Sequence, residues 1–162
     1  MNTLEGKVAP QFELTGSDGK VYSNASLKGT NVVLYFYPKD DTPGCTKEAC
    51  GFRDLNVEIA KTGAVVLGVS RDGDESHQQF REKYKLPFVL LTDADASTHR
   101  AFGAWGKKIS YGKETEGVIR STVLIGPDGV VRKHWPTVKS AEEHPAEVLA
   151  ELKKMGTEKL FL

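Results

Sequence analysis

The sequence predicts a three-layer α/β domain in which helices cover both faces of a mixed central sheet. Residues 31–37 and 64–70 are almost entirely apolar, β-branched or aromatic, which is typical of strands buried on both faces. Residues 44–61 repeat apolar side chains every three to four positions, as an amphipathic helix does. Buried strands that alternate with helices favour this layered arrangement.

The predicted elements follow one another along the whole chain. Those of the first half are a hairpin over 12–22 with its turn at 17–20, one helical turn at 26–29, a strand at 31–37, a helix at 44–61, a strand at 64–70 and a helix at 76–85. Those of the second half are a strand at 88–91, a short helix at 96–102, a glycine-containing excursion at 103–117, strands at 118–125 and 130–135 joined by a tight turn, and a last helix. Ser140 and Glu143 form a capping box that opens this helix, and Gly156 is expected to end it.

Length and charge indicate a single domain, residues 1–162, that acts on a small ligand. A chain of 162 residues has the usual size of one domain, and no linker or repeat divides it. Lys plus Arg number 22 and Asp plus Glu number 22, so no net field attracts nucleic acid or an anionic membrane. The N-terminal residues lack the features of a secretory signal, and no apolar run spans a membrane. We therefore expect a cytoplasmic protein.

Two cysteines are the candidate chemical groups. Cys45 and Cys50 are too few for the disulfide framework of a small secreted domain, so in a reducing compartment the pair indicates chemistry. In open α/β sheets, sites gather at the carboxyl ends of the strands, which points to the loop between Pro38 and Cys45. Cys45 lies in the first turn of the predicted helix, where free backbone N–H groups and the helix dipole favour a thiolate.

Metal and nucleotide sites have no support in the sequence. The four histidines, His77, His99, His134 and His144, show no zinc-like spacing near the cysteines. Asp40 and Asp41 are adjacent carboxylates in a polar loop, and we interpret them as solvated. The glycines form no phosphate-binding pattern. The protein is therefore expected to work without a metal or an organic cofactor.

Residues 36–50, Phe-Tyr-Pro-Lys-Asp-Asp-Thr-Pro-Gly-Cys-Thr-Lys-Glu-Ala-Cys, strongly resemble the active-site segment of the peroxiredoxins. Within that family the chain looks like the bacterioferritin-comigratory, or Q-type, subfamily. The resemblance covers nearly the whole chain and includes a Pro-x-x-x-Thr-x-x-Cys motif and a later arginine, Arg120. It implies a thioredoxin-like fold, reduction of hydrogen peroxide and organic hydroperoxides, and a monomer. Val123 departs from the family pattern, in which a phenylalanine is common at that position.

The resemblance also implies a role for each site residue. Cys45 matches the cysteine that attacks the peroxide, Thr42 the hydroxyl that contacts it, and Pro38 the ring that shields the sulfur. Arg120 matches the arginine beside the sulfur, and we expect it in an interior strand. The remaining matches are Glu48, which orients the arginine, Gly44, whose backbone N–H helps to bind substrate, and Cys50, the resolving cysteine.

Resolution by Cys50 requires a change of shape. A helix separates the Cα atoms of residues five apart by ~8.6 Å, whereas a disulfide needs about 4.4 to 6.8 Å. We therefore expect the helix to unwind locally around Cys45 and Cys50 before the disulfide forms. A thioredoxin-like or glutaredoxin-like protein would then reduce the disulfide.

Two other functions remain open from the sequence. A thioredoxin-type disulfide oxidoreductase would need Cys-x-x-Cys at the helix start, and the spacing of Cys45 and Cys50 disagrees with that. A redox sensor would use the Cys45–Cys50 disulfide to change the surface that a partner protein recognises. Catalytic turnover with a reductase separates an enzyme from a sensor.

Overall fold

The structure, a computed structural model, describes residues 3–160, and Met1, Asn2, Phe161 and Leu162 lie outside that range. The strands are β1 (Glu13–Gly16), β2 (Val21–Ser23), β3 (Asn31–Phe36), β4 (Ala64–Ser70), β5 (Val89–Thr92), β6 (Trp105–Ser110), β7 (Lys113–Val118), β8 (Ser121–Ile125) and β9 (Val131–Trp135). The helices are α1 (Pro43–Lys61), α2 (Asp74–Tyr84), α3 (Ser97–Ala101) and α4 (His144–Leu160). No helix within residues 3–160 is long and apolar enough to cross a lipid bilayer.

Seven strands form one mixed sheet in the order β2-β1-β5-β4-β3-β8-β9. β3, β4 and β5 run parallel, β8 pairs antiparallel with β3, and β9 pairs antiparallel with β8 at the edge of the sheet. The N-terminal hairpin is part of the same sheet because β1 pairs with β5. The predicted thioredoxin-like α/β fold with a mixed sheet and an N-terminal hairpin is confirmed.

Strand β3 divides the core into two halves. Val33 and Tyr35 face the cluster formed with α1, α2 and α4, whereas Val32, Leu34 and Phe36 face the cluster on the other side, which includes the segment before β1 and residues next to α3. All five side chains are buried. The alternation of side chains along a strand explains why a continuous apolar run is needed where both faces are covered.

The excursion at 103–117 is a two-stranded hairpin, β6 with β7, and the strand predicted at 118–125 is two strands. β7 ends at Val118, and β8 begins at Ser121. Between them, the Ile119 N–H donates to Ala104 O at 2.8 Å. The expectation that Arg120 lies in an interior strand is therefore wrong: it lies in the two-residue connection. The sequence predicted one strand because the end of β7 and the start of β8 follow each other closely in a run rich in β-branched residues.

Helix α4 differs from the prediction at both ends. The Glu143 N–H donates to Ser140 Oγ at 3.2 Å, as a capping box requires, but residues 141–143 form a turn and the helix begins at His144. Gly156 does not end the helix, which continues to Leu160. A glycine costs a helix about 1 kcal/mol, which is too little to stop one unless the backbone turns left-handed.

Candidate active site

Helix α1 begins immediately after the loop that leaves β3. Thr42 is its N-cap with an extended backbone, and Pro43 occupies the first turn, where a missing N–H is tolerated. The first helical hydrogen bond runs from Thr46 N to Thr42 O at 2.8 Å. Cys45 is buried, with 1% of its surface exposed. Its sulfur is therefore in the first helical turn, as predicted, where the N-terminal end of the helix favours negative charge.

Arg120 joins Cys45 to Glu48. Its Nη2 donates to Cys45 Sγ at 3.3 Å, and its Nη1 donates to Glu48 Oε1 at 2.6 Å. Burial lowers the pKa of Arg120, but the charges and hydrogen bonds of Glu48 and Cys45 outweigh burial and raise it overall. The guanidinium is thus a permanent cation beside the sulfur.

Glu48, the carboxylate partner of this arginine, is fully buried. Burial raises the pKa of Glu48 to about 7, although Arg120 opposes the rise. Its Oε2 has no hydrogen-bond partner among the described residues. The carboxyl therefore changes its charge near neutral pH. The same arginine, Arg120, contacts both this carboxyl and the sulfur of Cys45.

Thr42 and Gly44 lie directly before Cys45 at the start of α1. The Thr42 hydroxyl donates to Lys39 O at 2.7 Å, so its oxygen is left to accept a hydrogen bond. A Cβ on Gly44 would lie 3.1 Å from Arg120 Nη2. Glycine therefore leaves room for the guanidinium beside Cys45. Pro38 is half-buried at the start of the same loop.

Cys50 lies further along the same helix as Cys45. Both cysteines lie on the unbroken helix α1 and are not bonded to each other. Helix geometry places their Cα atoms ~8.6 Å apart, beyond the reach of a disulfide. Next to Cys50, Gly51 packs against Pro145 of α4, whose Cγ would lie 2.7 Å from a Cβ on the glycine. Cys50 itself is half-buried.

The interpretation of Asp40 and Asp41 as solvated is wrong for Asp40, which is only 7% exposed. Its carboxylate accepts hydrogen bonds from Tyr37, the residue after β3, and from Ser76 of α2. Asp41 is exposed but accepts hydrogen bonds from Lys83 and Tyr84 at 2.8 and 2.7 Å. No sequence pattern indicates these contacts, because every partner except Tyr37 lies more than thirty residues away on α2.

Lys108 and His144 also interact electrostatically with the site, although no sequence motif indicates either residue. Lys108 of β6 is half-buried; burial and then Arg120 lower its pKa, and Cys45 raises it. His144 Nε2 lies 2.8 Å from Thr122 Oγ1, and burial, followed by the charge of Arg120, lowers its pKa to about 4. His144 is thus neutral at pH 7, and Lys108 brings a second positive charge into electrostatic range of the sulfur.

Comparison with known proteins identifies the family of this protein. The sequence model of the AhpC/TSA family matches residues 6–134. The chain belongs to the AhpC/TSA family. Among its relatives, the putative peroxiredoxin Bcp of Coxiella burnetii is 49% identical over 94% of this chain and 100% of that protein. Peroxiredoxin Bcp of Bacillus subtilis is 47% identical over 95% of this chain and 98% of that protein.

Solved structures agree with the sequence relatives. The bacterioferritin comigratory protein of Xanthomonas campestris aligns with a TM-score of 0.84 and 42% identity, over 90% of this chain and 92% of that one. A PrxQ mutant from Xylella fastidiosa aligns with a TM-score of 0.88 and 34% identity, over 96% of this chain and 98% of that one. The resemblance to the Q-type, or Bcp, peroxiredoxins is confirmed.

Proposed function

We propose that this peroxiredoxin reduces hydrogen peroxide and organic hydroperoxides through Cys45 and forms a Cys45–Cys50 disulfide in each cycle. Thiol peroxidase activity is the function that its family relationship supports. The observation that carries the role of Cys45 is the hydrogen bond from Arg120 Nη2 to its sulfur at 3.3 Å. A buried sulfur that faces a permanent cation at a helix N-terminus is placed to react as a thiolate.

The first step breaks the O–O bond. The Cys45 thiolate attacks one peroxide oxygen, the other oxygen leaves with the bonding electron pair and takes up a proton, and Cys45 becomes a sulfenic acid while the peroxide becomes water or an alcohol. Charge moves from sulfur to the leaving oxygen. Donors fixed around the two oxygens therefore help most in the transition state.

The residues around Cys45 divide this work. Arg120 and the backbone N–H groups of the first helical turn, including that of Gly44, donate hydrogen bonds to the peroxide oxygens. Thr42, whose own hydrogen is directed to Lys39 O, accepts the hydrogen of the hydroperoxide. Pro38 shields the site, and Glu48 orients Arg120 through the 2.6 Å contact.

The second step requires part of α1 to unwind. The Cys50 thiol attacks the Cys45 sulfenic sulfur, water leaves, and a disulfide forms. The distance along an intact helix is too great for that bond, so residues around 45–50 pass between a folded, peroxide-reactive form and an unwound, disulfide form. A thioredoxin-like or glutaredoxin-like dithiol protein then reduces the disulfide and is itself oxidised.

Organic hydroperoxides belong to the proposed substrates because the related Xanthomonas campestris protein was studied for its alkyl peroxide reduction activity. We extend the proposal to a monomeric, single-domain, cytoplasmic enzyme that uses no metal or organic cofactor. A redox sensor is not favoured, since a sensor does not need an arginine and a threonine arranged around the attacking sulfur.

The test follows peroxide consumption by the wild type, Cys45→Ser and Cys50→Ser, with thioredoxin, its reductase and NADPH. We expect turnover by the wild type, no reaction with Cys45→Ser, and about one equivalent of peroxide consumed by Cys50→Ser before it stalls. Activity of Cys45→Ser would overturn the role of Cys45. A wild type that never exceeds one equivalent with any dithiol reductant would favour the sensor.

A further inference from the structure

The Asp40 carboxylate, two residues before Thr42, accepts three side-chain hydrogen bonds inside the protein. Tyr37 Oη donates to Oδ1 at 2.5 Å, and Ser76 Oγ donates to Oδ2 at 2.8 Å. His77 Nδ1 lies 2.7 Å from the same Oδ2. Tyr37, Asp40 and His77 are all buried. Since a buried carboxylate is stable only when it is paired and hydrogen-bonded, these contacts fix where the loop runs.

His77 completes the arrangement from α2. It is fully buried, and its Nε2 lies 3.1 Å from Leu91 O. A main-chain carbonyl only accepts hydrogen bonds, so Nε2 carries a hydrogen. His77 therefore ties the active-site loop to both α2 and β5.

The same loop is tied to the chain that follows β4. The Asp40 N–H donates to Asp72 Oδ2 at 2.8 Å, and Ser70 Oγ donates to the same oxygen at 2.8 Å. The next residue, Asp41, has a left-handed backbone with φ of 56°, an uncommon conformation for a residue other than glycine. The surrounding contacts hold the loop in this conformation, and Thr42 follows directly.

We propose that His77 is a positioning residue of the peroxidatic site. Through Asp40 it fixes the loop that carries Thr42 and starts α1, and so it stabilises the folded, peroxide-reactive form over the unwound form that makes the disulfide. This inference rests on the proposed function. It assigns to the buried histidine an effect on reaction geometry and on the folded-to-unwound equilibrium.

A measurable consequence concerns overoxidation. In the folded form the Cys45 sulfenic acid can meet a second hydroperoxide, which transfers an oxygen to sulfur; a sulfinic acid and an alcohol or water result. In the unwound form Cys50 captures the sulfenic acid first. Loosening the loop should therefore slow the first oxidation of Cys45 and also reduce the fraction of sulfinic acid formed in each turnover.

The protein contains a matched control for this idea. His99 and Asp93 form a second buried pair, with His99 Nδ1 2.6 Å from Asp93 Oδ2. Asp93 also accepts the backbone N–H groups of Thr98 and His99, so this pair holds the start of α3 instead of the active-site loop. His99→Gln thus removes the same kind of contact from the other side of the sheet.

The experiment compares His77→Gln and His99→Gln in the full chain. Urea unfolding measures the stability of each, stopped-flow oxidation by hydrogen peroxide measures the rate constant of Cys45, and mass spectrometry measures sulfinic acid per turnover. We expect both variants to lose stability. Only His77→Gln should lower the oxidation rate, by about tenfold, because small displacements of reacting groups have effects of that size. It should also form less sulfinic acid in each turnover.

Ser76→Ala removes one hydrogen bond to Asp40 and leaves the histidine in place. It is expected to lower the oxidation rate and the sulfinic acid per turnover as His77→Gln does, but by less. If His77→Gln does not fold, Ser76→Ala tests the proposal in its place. Equal kinetics and equal sulfinic acid for His77→Gln and His99→Gln, or for Ser76→Ala and the wild type, would overturn the positioning role. Failure of the wild type to reduce peroxide would instead overturn the proposed function.

Discussion

Arg120 Nη2 lies 3.3 Å from Cys45 Sγ although 75 residues separate the two along the chain. The pairing of β8 with β3 explains the contact. Phe36, the last residue of β3, pairs with Ser121, the first residue of β8. Arg120, the residue before β8, therefore lies beside the point where the chain leaves β3 toward Cys45. The contact depends on the register of two antiparallel strands.

Replacement of Arg120 should slow the reaction of Cys45 with peroxide. Arg120→Met removes the cation, and Arg120→Lys keeps the charge but loses the fork that reaches Cys45 and Glu48 together. We expect the second-order rate constant to fall by about 10²- to 10³-fold for Met, with Lys in between, measured by stopped-flow oxidation. Arg132→Met, which breaks an exposed pair with Asp128, is the control. A full rate for Arg120→Met would contradict the assignment.

Thr42 is expected to act through its hydroxyl oxygen. Its hydrogen is directed to Lys39 O, so an incoming hydroperoxide meets an acceptor. Thr42→Val keeps the shape and should lower the rate of Cys45 oxidation by about tenfold or more, while Thr42→Ser should retain most of it. Steady-state rates at several peroxide concentrations test this. Equal rates for the Val and Ser variants would show that the hydroxyl is not used.

A methyl group on Gly44 should separate activity from stability. Its Cβ would lie 3.1 Å from Arg120 Nη2, so the guanidinium must move by a few tenths of an ångström. Alanine is the better helix former by up to about 1 kcal/mol. We expect Gly44→Ala to keep its melting temperature and lose peroxide activity. Gly156→Ala, where a Cβ meets no described atom within 4 Å, is the control that should keep both.

Gly51 should be intolerant of a side chain because of α4. A Cβ there would lie 2.7 Å from Pro145 Cγ, and a proline ring yields little. Gly51→Ala should destabilise the protein by about 1–3 kcal/mol, as overpacking does, measured by urea unfolding. The matched change Gly156→Ala, also in a helix, should be neutral or stabilising. If Gly51→Ala proves as stable as Gly156→Ala, the close contact with Pro145 does not constrain α1.

Glu48 and His144 should give opposite pH dependences of stability. The pKa of Glu48 is raised from 4.5 to about 7 by burial, so between these values the unfolded chain releases a proton that the native protein keeps, and the free energy of unfolding falls as pH rises. The pKa of His144 is lowered from 6.5 to about 4. In that range the unfolded chain binds a proton that the native protein does not, and the free energy of unfolding falls as pH falls.

The two contributions oppose each other where the ranges overlap, from about pH 4.5 to 6.5. Each amounts to up to about 3 kcal/mol. Glu48→Gln should therefore show stability that rises with pH more steeply than in the wild type, and His144→Gln the reverse, by urea unfolding from pH 4.5 to 7.5. Glu58→Gln, on the exposed face of α1, should leave the slope unchanged. Parallel curves for all four proteins would contradict the two shifts.

Local sequence patterns predict the arrangement of residues at the start of α1 and the order of the main elements. Thr42, Gly44, Cys45 and Glu48 lie within two turns at the start of one helix, so their spacing fixes their relative placement as soon as the helix forms. The apolar run of β3 likewise determined a strand that is buried on both faces. These are short-range relationships, and periodicity expresses them directly.

The distant residues that contact these local ones are known only from the way the chain packs in three dimensions. Arg120 reaches Cys45 because β8 pairs with β3 in one register, and His77 reaches Asp40 because α2 packs beside the same loop. The sequence also did not predict the break between β7 and β8, since two strand ends of similar composition follow each other. Strand register and the packing of buried polar groups depend on contacts between separate segments, and no local pattern of residue types contains them.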